Sequence, residues 1–118
     1  MPSARFQVPR TMHPFSQLSE VLEHRRRSGK LYHEFLRVPS MSAGVYVLAA
    51  GIADPQKPHE QDEMYYVVRG RARLQAGGED QTVEEGSVIF VRAQVEHRFY
   101  DISEELVVLV FFAPAETE

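Results

Sequence analysis

A chain of 118 residues is long enough to bury one proper core and too short for two, and hydrophobic content of 43% with 25% charged residues excludes a wholly disordered chain. The formal net charge of -4, from 17 acids against 13 bases, offers no field to attract nucleic acid or an anionic membrane. With no cysteine, disulfides, thiolate metal sites and thiol nucleophiles are all excluded, so any metal site must be built from His, carboxylate and amide oxygen.

Met1 to Phe15 carries Pro2, Pro9 and Pro14 without a sustained period and reads as an extended arm. Met1 to Arg10 holds no apolar stretch of the signal-peptide kind, and the longest apolar run, Leu106 to Pro114, falls far short of a membrane span. A cytoplasmic protein without membrane contact is the expectation. Ser16 is placed to cap a short helix with Leu18, Val21 and Leu22 on one face, Arg25 to Arg27 at the negative end, and Gly29 as the stop. Residues 1–30 thus form an arm and a helix that pack on the strand-rich remainder of the chain.

From Leu31 the pattern changes to short β-branched and aromatic runs: Leu31 to Val38, Ala43 to Ala50, Met64 to Val68, Arg71 to Gln75, Val88 to Val91, Arg98 to Ile102 and Leu106 to Phe112. Gly77-Gly78 and Glu85-Gly86 are the clearest turns between them. Regularly spaced strands of this kind imply one sandwich or barrel over residues 31–114, and the acidic tail, 115–118, is expected to fray.

Gly51, His59, Glu63 and Gly70 stand in the register of the first cupin motif, with Lys57 where that motif has its first His. Gly86 and His97 match the second motif, in which Arg92 stands for Pro, Gln94 for Gly and Asp101 for Asn. The chain therefore resembles the cupin superfamily, the small single-domain, RmlC-like and quercetinase-like barrels, over roughly Tyr32 to Phe112. The resemblance implies an all-β double-stranded β-helix (jelly roll) with one short N-terminal helix, and a metal held by His59, Glu63 and His97.

The residues support this independently, because two imidazoles and one carboxylate bind divalent metal while leaving positions open. In a straight strand His59 and Glu63 would sit roughly 13 Å apart, so the chain must bend between them, and Pro55 and Pro58 place His59 in an entering loop with Glu63 at the strand start. His97 can join them only if its strand lies beside the first in space. An ammonium does not ligate, so Lys57 either turns away or pairs with a substrate anion, while Gln56 or Gln61 can offer an amide oxygen as a fourth ligand. Tyr65 and Val67 share parity with Glu63, and Phe99 with His97; they line the interior near the metal or fill the core. His13, His24 and His33 read as solvated, and Arg25 to Arg27 as a helix end.

One divalent transition metal is expected, with iron, manganese, nickel, zinc and copper all suited to the set. The resemblance implies action on a small organic molecule, with dioxygenase-like oxidoreductase chemistry as one possibility; the alternative is a non-enzymatic ligand-binding or sensor barrel. A third reading makes the metal a structural staple in an oligomer. A homodimer is expected from the unsatisfied edges of an open barrel.

Overall fold

The structure is a computed structural model in which residues 14–117 are described, so most of the expected arm, including His13, lies outside the described residues. Helix α1 runs Leu18–Ser28 and is preceded by extended Gln17, with no side-chain cap, so Ser16 does not play the capping role its residue type suggests. Gly29, at φ 73°, closes the helix and donates its N–H to the carbonyls of Arg25 and Arg26, as a left-handed C-terminal glycine does. Arg26 and Arg27 pair with Glu23 one turn earlier, which accounts for the basic run without a partner molecule. Val21 is the buried residue of α1, which packs on β1 (Tyr32–Val38) and β2 (Met41–Leu48). With the helix on one face and the barrel core on the other, Ser42 through Leu48 are buried at every position.

The remaining strands are β3 (Asp62–Ala76), β4 (Glu79–Glu84), β5 (Val88–Val91) and β6 (His97–Ala113). They pair antiparallel in the order β1-β2-β6-β3-β4, with β5 also on β3. This is the antiparallel double-stranded β-helix the sequence pointed to. Two pairs of runs that the sequence separates are single strands: Met64 to Val68 and Arg71 to Gln75 both lie in β3, and Arg98 to Ile102 and Leu106 to Phe112 both lie in β6. Neither pair is broken by a turn, because the β3–β6 register shifts repeatedly between Val67 and Arg73 and the ribbon bends there without ending. Strand β4 escapes a hydrophobicity reading because it reads Glu-Asp-Gln-Thr-Val-Glu and buries only Val83.

Gly70 is the residue that makes the bend possible. It sits at φ 102°, and a Cβ there would stand 2.2 Å from the Glu105 carbonyl oxygen and 2.7 Å from Leu106 Cα, so β6 crosses directly over it. Inside, Leu48, Tyr65, Val67, Phe99, Leu106 and Val108 have no solvent exposure and form one core with Val110 and Phe112. Alternation along β3 turns Glu63, Tyr65 and Val67 inward and leaves Met64 and Tyr66 outside. Met64 opposite Phe90 and Tyr66 opposite Val88 form an exposed apolar row on the outer face of the β3–β5 pair. No helix among the described residues is long and apolar enough to cross a membrane.

Residues 115–117 are tied to the body of the protein by hydrogen bonds. Ala115 is buried and donates its N–H to Pro39 O, the Glu116 N–H goes to Ser42 Oγ at 3.0 Å, and Arg37 donates to the Glu116 carbonyl at 2.7 Å. Glu118 lies outside the described residues. An acidic, aperiodic tail carries no pattern that announces such backbone anchoring.

Candidate metal centre

His59 comes from the loop between β2 and β3, where its carbonyl accepts the N–H of Gln94 at 2.7 Å. Gln94 makes that bond from the left-handed region, at φ 73°, the conformation that a glycine in this motif position would adopt freely. Glu63 is the second residue of β3 on its inward face, and His97 is the first residue of β6. In register, His97 lies opposite Ala76 at the far end of β3, so it reaches Glu63 across the barrel interior and not as a cross-strand neighbour. The expected bend before Glu63 is present. Donor atoms of His59, Glu63 and His97 all lie within 4.8 Å of one another.

The polar contacts of the two imidazoles set Nδ1 toward an acceptor and Nε2 toward the centre. His59 Nδ1 lies 3.0 Å from Glu116 Oε2, and His97 Nδ1 lies 2.8 Å from the Val95 carbonyl. Both partners only accept, so each Nδ1 is placed to carry the proton of a neutral ring, which leaves each Nε2 able to present a lone pair. Those lone pairs converge with Gln56 Oε1, at 3.4 Å from His59 Nε2 and 3.3 Å from His97 Nε2. Glu63 Oε1 is 3.1 Å from His97 Nε2, but without hydrogen-bond geometry, and both of its carboxylate oxygens are buried without a hydrogen-bond partner.

With both rings neutral and protonated at Nδ1, the two Nε2 atoms, Gln56 Oε1 and the Glu63 carboxylate form a cluster of acceptors. A proton on His97 or a bound cation would satisfy such a cluster, and two imidazole nitrogens with oxygen ligands suit a divalent transition metal. The same demand shows in the proton affinity of His97. Burial is the largest single influence and pulls its pKa down, yet the Glu63 carboxylate, the Val95 carbonyl and the Asp54 charge together carry it above the ordinary histidine value.

Of the other residues singled out in the sequence, Gln56 is at the centre. Tyr65 donates its hydroxyl to Gln56 Oε1 at 3.1 Å and stands 6.2 Å from the His97 ring, so it borders the site. Its own pKa is driven far up, by burial first and by the Glu63 charge second, which keeps it a donor. Phe99 packs on Tyr65 at 5.0 Å between ring centroids and is core. Lys57 is exposed, so it neither ligates nor enters the interior to meet an anion. Gln61 is buried but donates to Thr117 Oγ1 at 2.8 Å, tying down the tail.

Three residues that the sequence did not single out complete the arrangement. Asp54 accepts from Tyr46 Oη at 2.6 Å, from Phe99 N at 2.9 Å and from both the backbone and side-chain amides of Gln56. An Asp two residues before a loop Gln, with Pro55 between them, is the local signal of such a turn. Glu116 orients His59, and nothing in the tail sequence announces it. Tyr32 forms a wall of a cavity of about 120 Å³ that opens on the centre, lined also by Tyr46, Val110 and Phe112. Its ring lies over Gly44, where a Cβ would come within 2.4 Å of the phenol carbon, so a glycine in β2 is what admits it. The Tyr32 hydroxyl is buried with no hydrogen-bond partner among the described residues.

Three comparisons place this architecture. A sequence model of the family described as Cupin domain matches residues 44–112. The chain is 48% identical over 101 residues to the uncharacterized protein SCO3923 of Streptomyces coelicolor, covering 86% of this chain and 96% of that one. Its fold is similar to the crystal structure of TT1209 from Thermus thermophilus, with a TM-score of 0.71 and 20% identity over 87% of this chain and 99% of that one. It is also similar to the DMSP lyase DddQ from Ruegeria pomeroyi, with a TM-score of 0.61 and 22% identity over 64% of this chain; the match spans 39% of that enzyme's length. At such identities the two structural likenesses speak to the fold alone.

Proposed function

The chain belongs to the cupin domain family, and on that scaffold we propose that it holds one divalent transition metal with His59, Glu63 and His97 and acts on a small, oxygen-bearing organic molecule beside it. The observation that carries this reading is the grouping of His59, Glu63 and His97 donor atoms, opening directly on a cavity whose wall holds the Tyr32 hydroxyl without a partner among the described residues. A metal bound there supplies Lewis-acid or redox chemistry to a substrate oxygen through its open positions.

The protein's own contributions are positional. Glu116 and the Val95 carbonyl fix the imidazole tautomers, Phe112 and Tyr32 shield the centre from water, and Tyr32 offers its O–H to a bound oxygen. Burial first, with the charges of Glu116, Glu34 and Glu63 adding to it, raises the Tyr32 pKa far above its ordinary value, so this group stays a proton donor at neutral pH. At about 120 Å³ the cavity has room for only a few non-hydrogen atoms beside the metal, which favours small carboxylates, phenols or diketones.

The small cavity also favours a second reading, capture of a ligand without turnover. Thermal-shift titration of metal-free and metal-loaded protein with such compounds, run beside an oxygen electrode, separates the two. The proposal expects stabilisation only in the loaded protein, turnover of a compound that binds, and binding weakened about 10-fold by Tyr32→Phe, the loss of one buried hydrogen bond. Oxygen uptake would identify that turnover as the dioxygenase-like chemistry. Equal binding to the metal-free protein with no turnover would leave the ligand-capture reading instead.

A further inference from the structure

We infer that Gln56 is a fourth metal ligand, an amide oxygen delivered from the position beside the one where the first cupin motif places a histidine. The inference rests on the metal reading above. Pro58 restricts Lys57 to extended backbone, so the side chains of residues 56 and 57 leave on opposite sides of the chain. Gln56 faces the centre and Lys57 faces solvent.

Asp54 fixes which end of the amide faces the imidazoles. Its Oδ2 takes the Gln56 Nε2 hydrogen at 2.8 Å, and because a carboxylate only accepts, the NH2 must point to Asp54 and Oε1 to the histidines. Asp54 cannot swing away, since Tyr46 Oη at 2.6 Å and Phe99 N at 2.9 Å hold it. Donation to an anion also polarises the amide and enriches Oε1 in electron density. Of the two lone pairs on that oxygen, one accepts from Tyr65 Oη at 3.1 Å. The other faces the two imidazole Nε2 atoms, at 3.4 Å and 3.3 Å.

With both rings protonated at Nδ1, that fixed oxygen meets two imidazole lone pairs, an arrangement that a shared cation satisfies. The resulting set is two nitrogens and two oxygens with a single ligand charge, harder than one in which a third imidazole replaces the amide. It therefore tilts preference toward manganese and iron(II) over nickel, copper and zinc.

Co2+ titration followed by visible absorption, with Mn2+ binding followed by electron paramagnetic resonance, tests this on the wild type, Gln56→Leu and His59→Ala. Gln56→Leu is expected to weaken both metals by more than about 10-fold, the lower end of what disturbing a ligand's support already costs, and to change the Co2+ bands, which report ligand number. Should Gln56→Leu fail to fold, Asp54→Asn decides: it frees the amide to turn over and is expected to weaken both metals as well. Wild-type affinity and wild-type Co2+ bands in the deciding variant, with metal lost in His59→Ala, would overturn the inference and leave the three-residue centre standing. A wild type that binds neither metal would overturn both.

Discussion

Glu63→Gln is expected to give a metal-free protein at least as stable as the wild type, and one that no metal stabilises. Glu63 is 2% exposed, and neither carboxylate oxygen has a hydrogen-bond partner among the described residues. Its nearest polar neighbour is His97 Nε2 at 3.1 Å, and a buried carboxylate beside a neutral imidazole costs several kcal/mol even after the surroundings relax, so a carboxylate kept there is held for something other than stability. The amide keeps the shape and removes the charge, for an expected gain of about 1 kcal/mol in the metal-free state, while loss of the only anionic ligand costs metal affinity about 100-fold or more. Melting curves at about pH 8, above the ordinary histidine range, with and without added metal read both effects. If Glu63 served instead as half of a structural ion pair with protonated His97, the same change would destabilise the protein by about 3–5 kcal/mol.

Gly70→Ala is expected to lose a large part of the folding stability without touching the centre. The added methyl must adopt φ 102°, which costs about 1–3 kcal/mol, and must also push back the Glu105 carbonyl at 2.2 Å. Overpacking adds about 1–3 kcal/mol more, against a total stability of about 5–15 kcal/mol for a domain of this kind. The neighbour is strand backbone and has no rotamer to change. Urea denaturation of the variant reads the loss directly, and a cost under about 1 kcal/mol would contradict the crossing of β6 over β3 at this point.

These two residues mark what the sequence could show. Gly70 and Glu63 are legible because their function depends on residue type at a fixed spacing within one segment, and the same holds for His59 and His97 in their two motifs. The barrel itself was legible from strand periodicity, but its strand ends were not. Val67 to Arg73 contains a glycine and changes register several times, a pattern that reads as a turn in one dimension and is a bend in three. Strand β4 is held by pairing with β3 and not by its own hydrophobicity, so no periodic signal marks it.

The supporting groups were invisible for a different reason. Glu116 meets His59, and Asp54 meets Phe99 N, only after the chain closes on itself, and an isolated acid in a loop or tail looks the same whether it orients a ligand or faces water. Gln56 was one of two glutamines that could serve; the carboxylate that chooses between them lies two residues away and acts through its own contacts to Tyr46 and Phe99. Lys57, which holds the motif's histidine place, turns outward, and the half-buried neighbour takes the interior.

The most direct test of the central claim is elemental analysis of the purified wild type beside His59→Ala, each also titrated with manganese, iron(II), nickel and zinc after chelation. The account predicts close to one equivalent of a transition metal bound by the wild type and lost in the variant. A wild-type protein that is metal-free and takes up none of the four would contradict it.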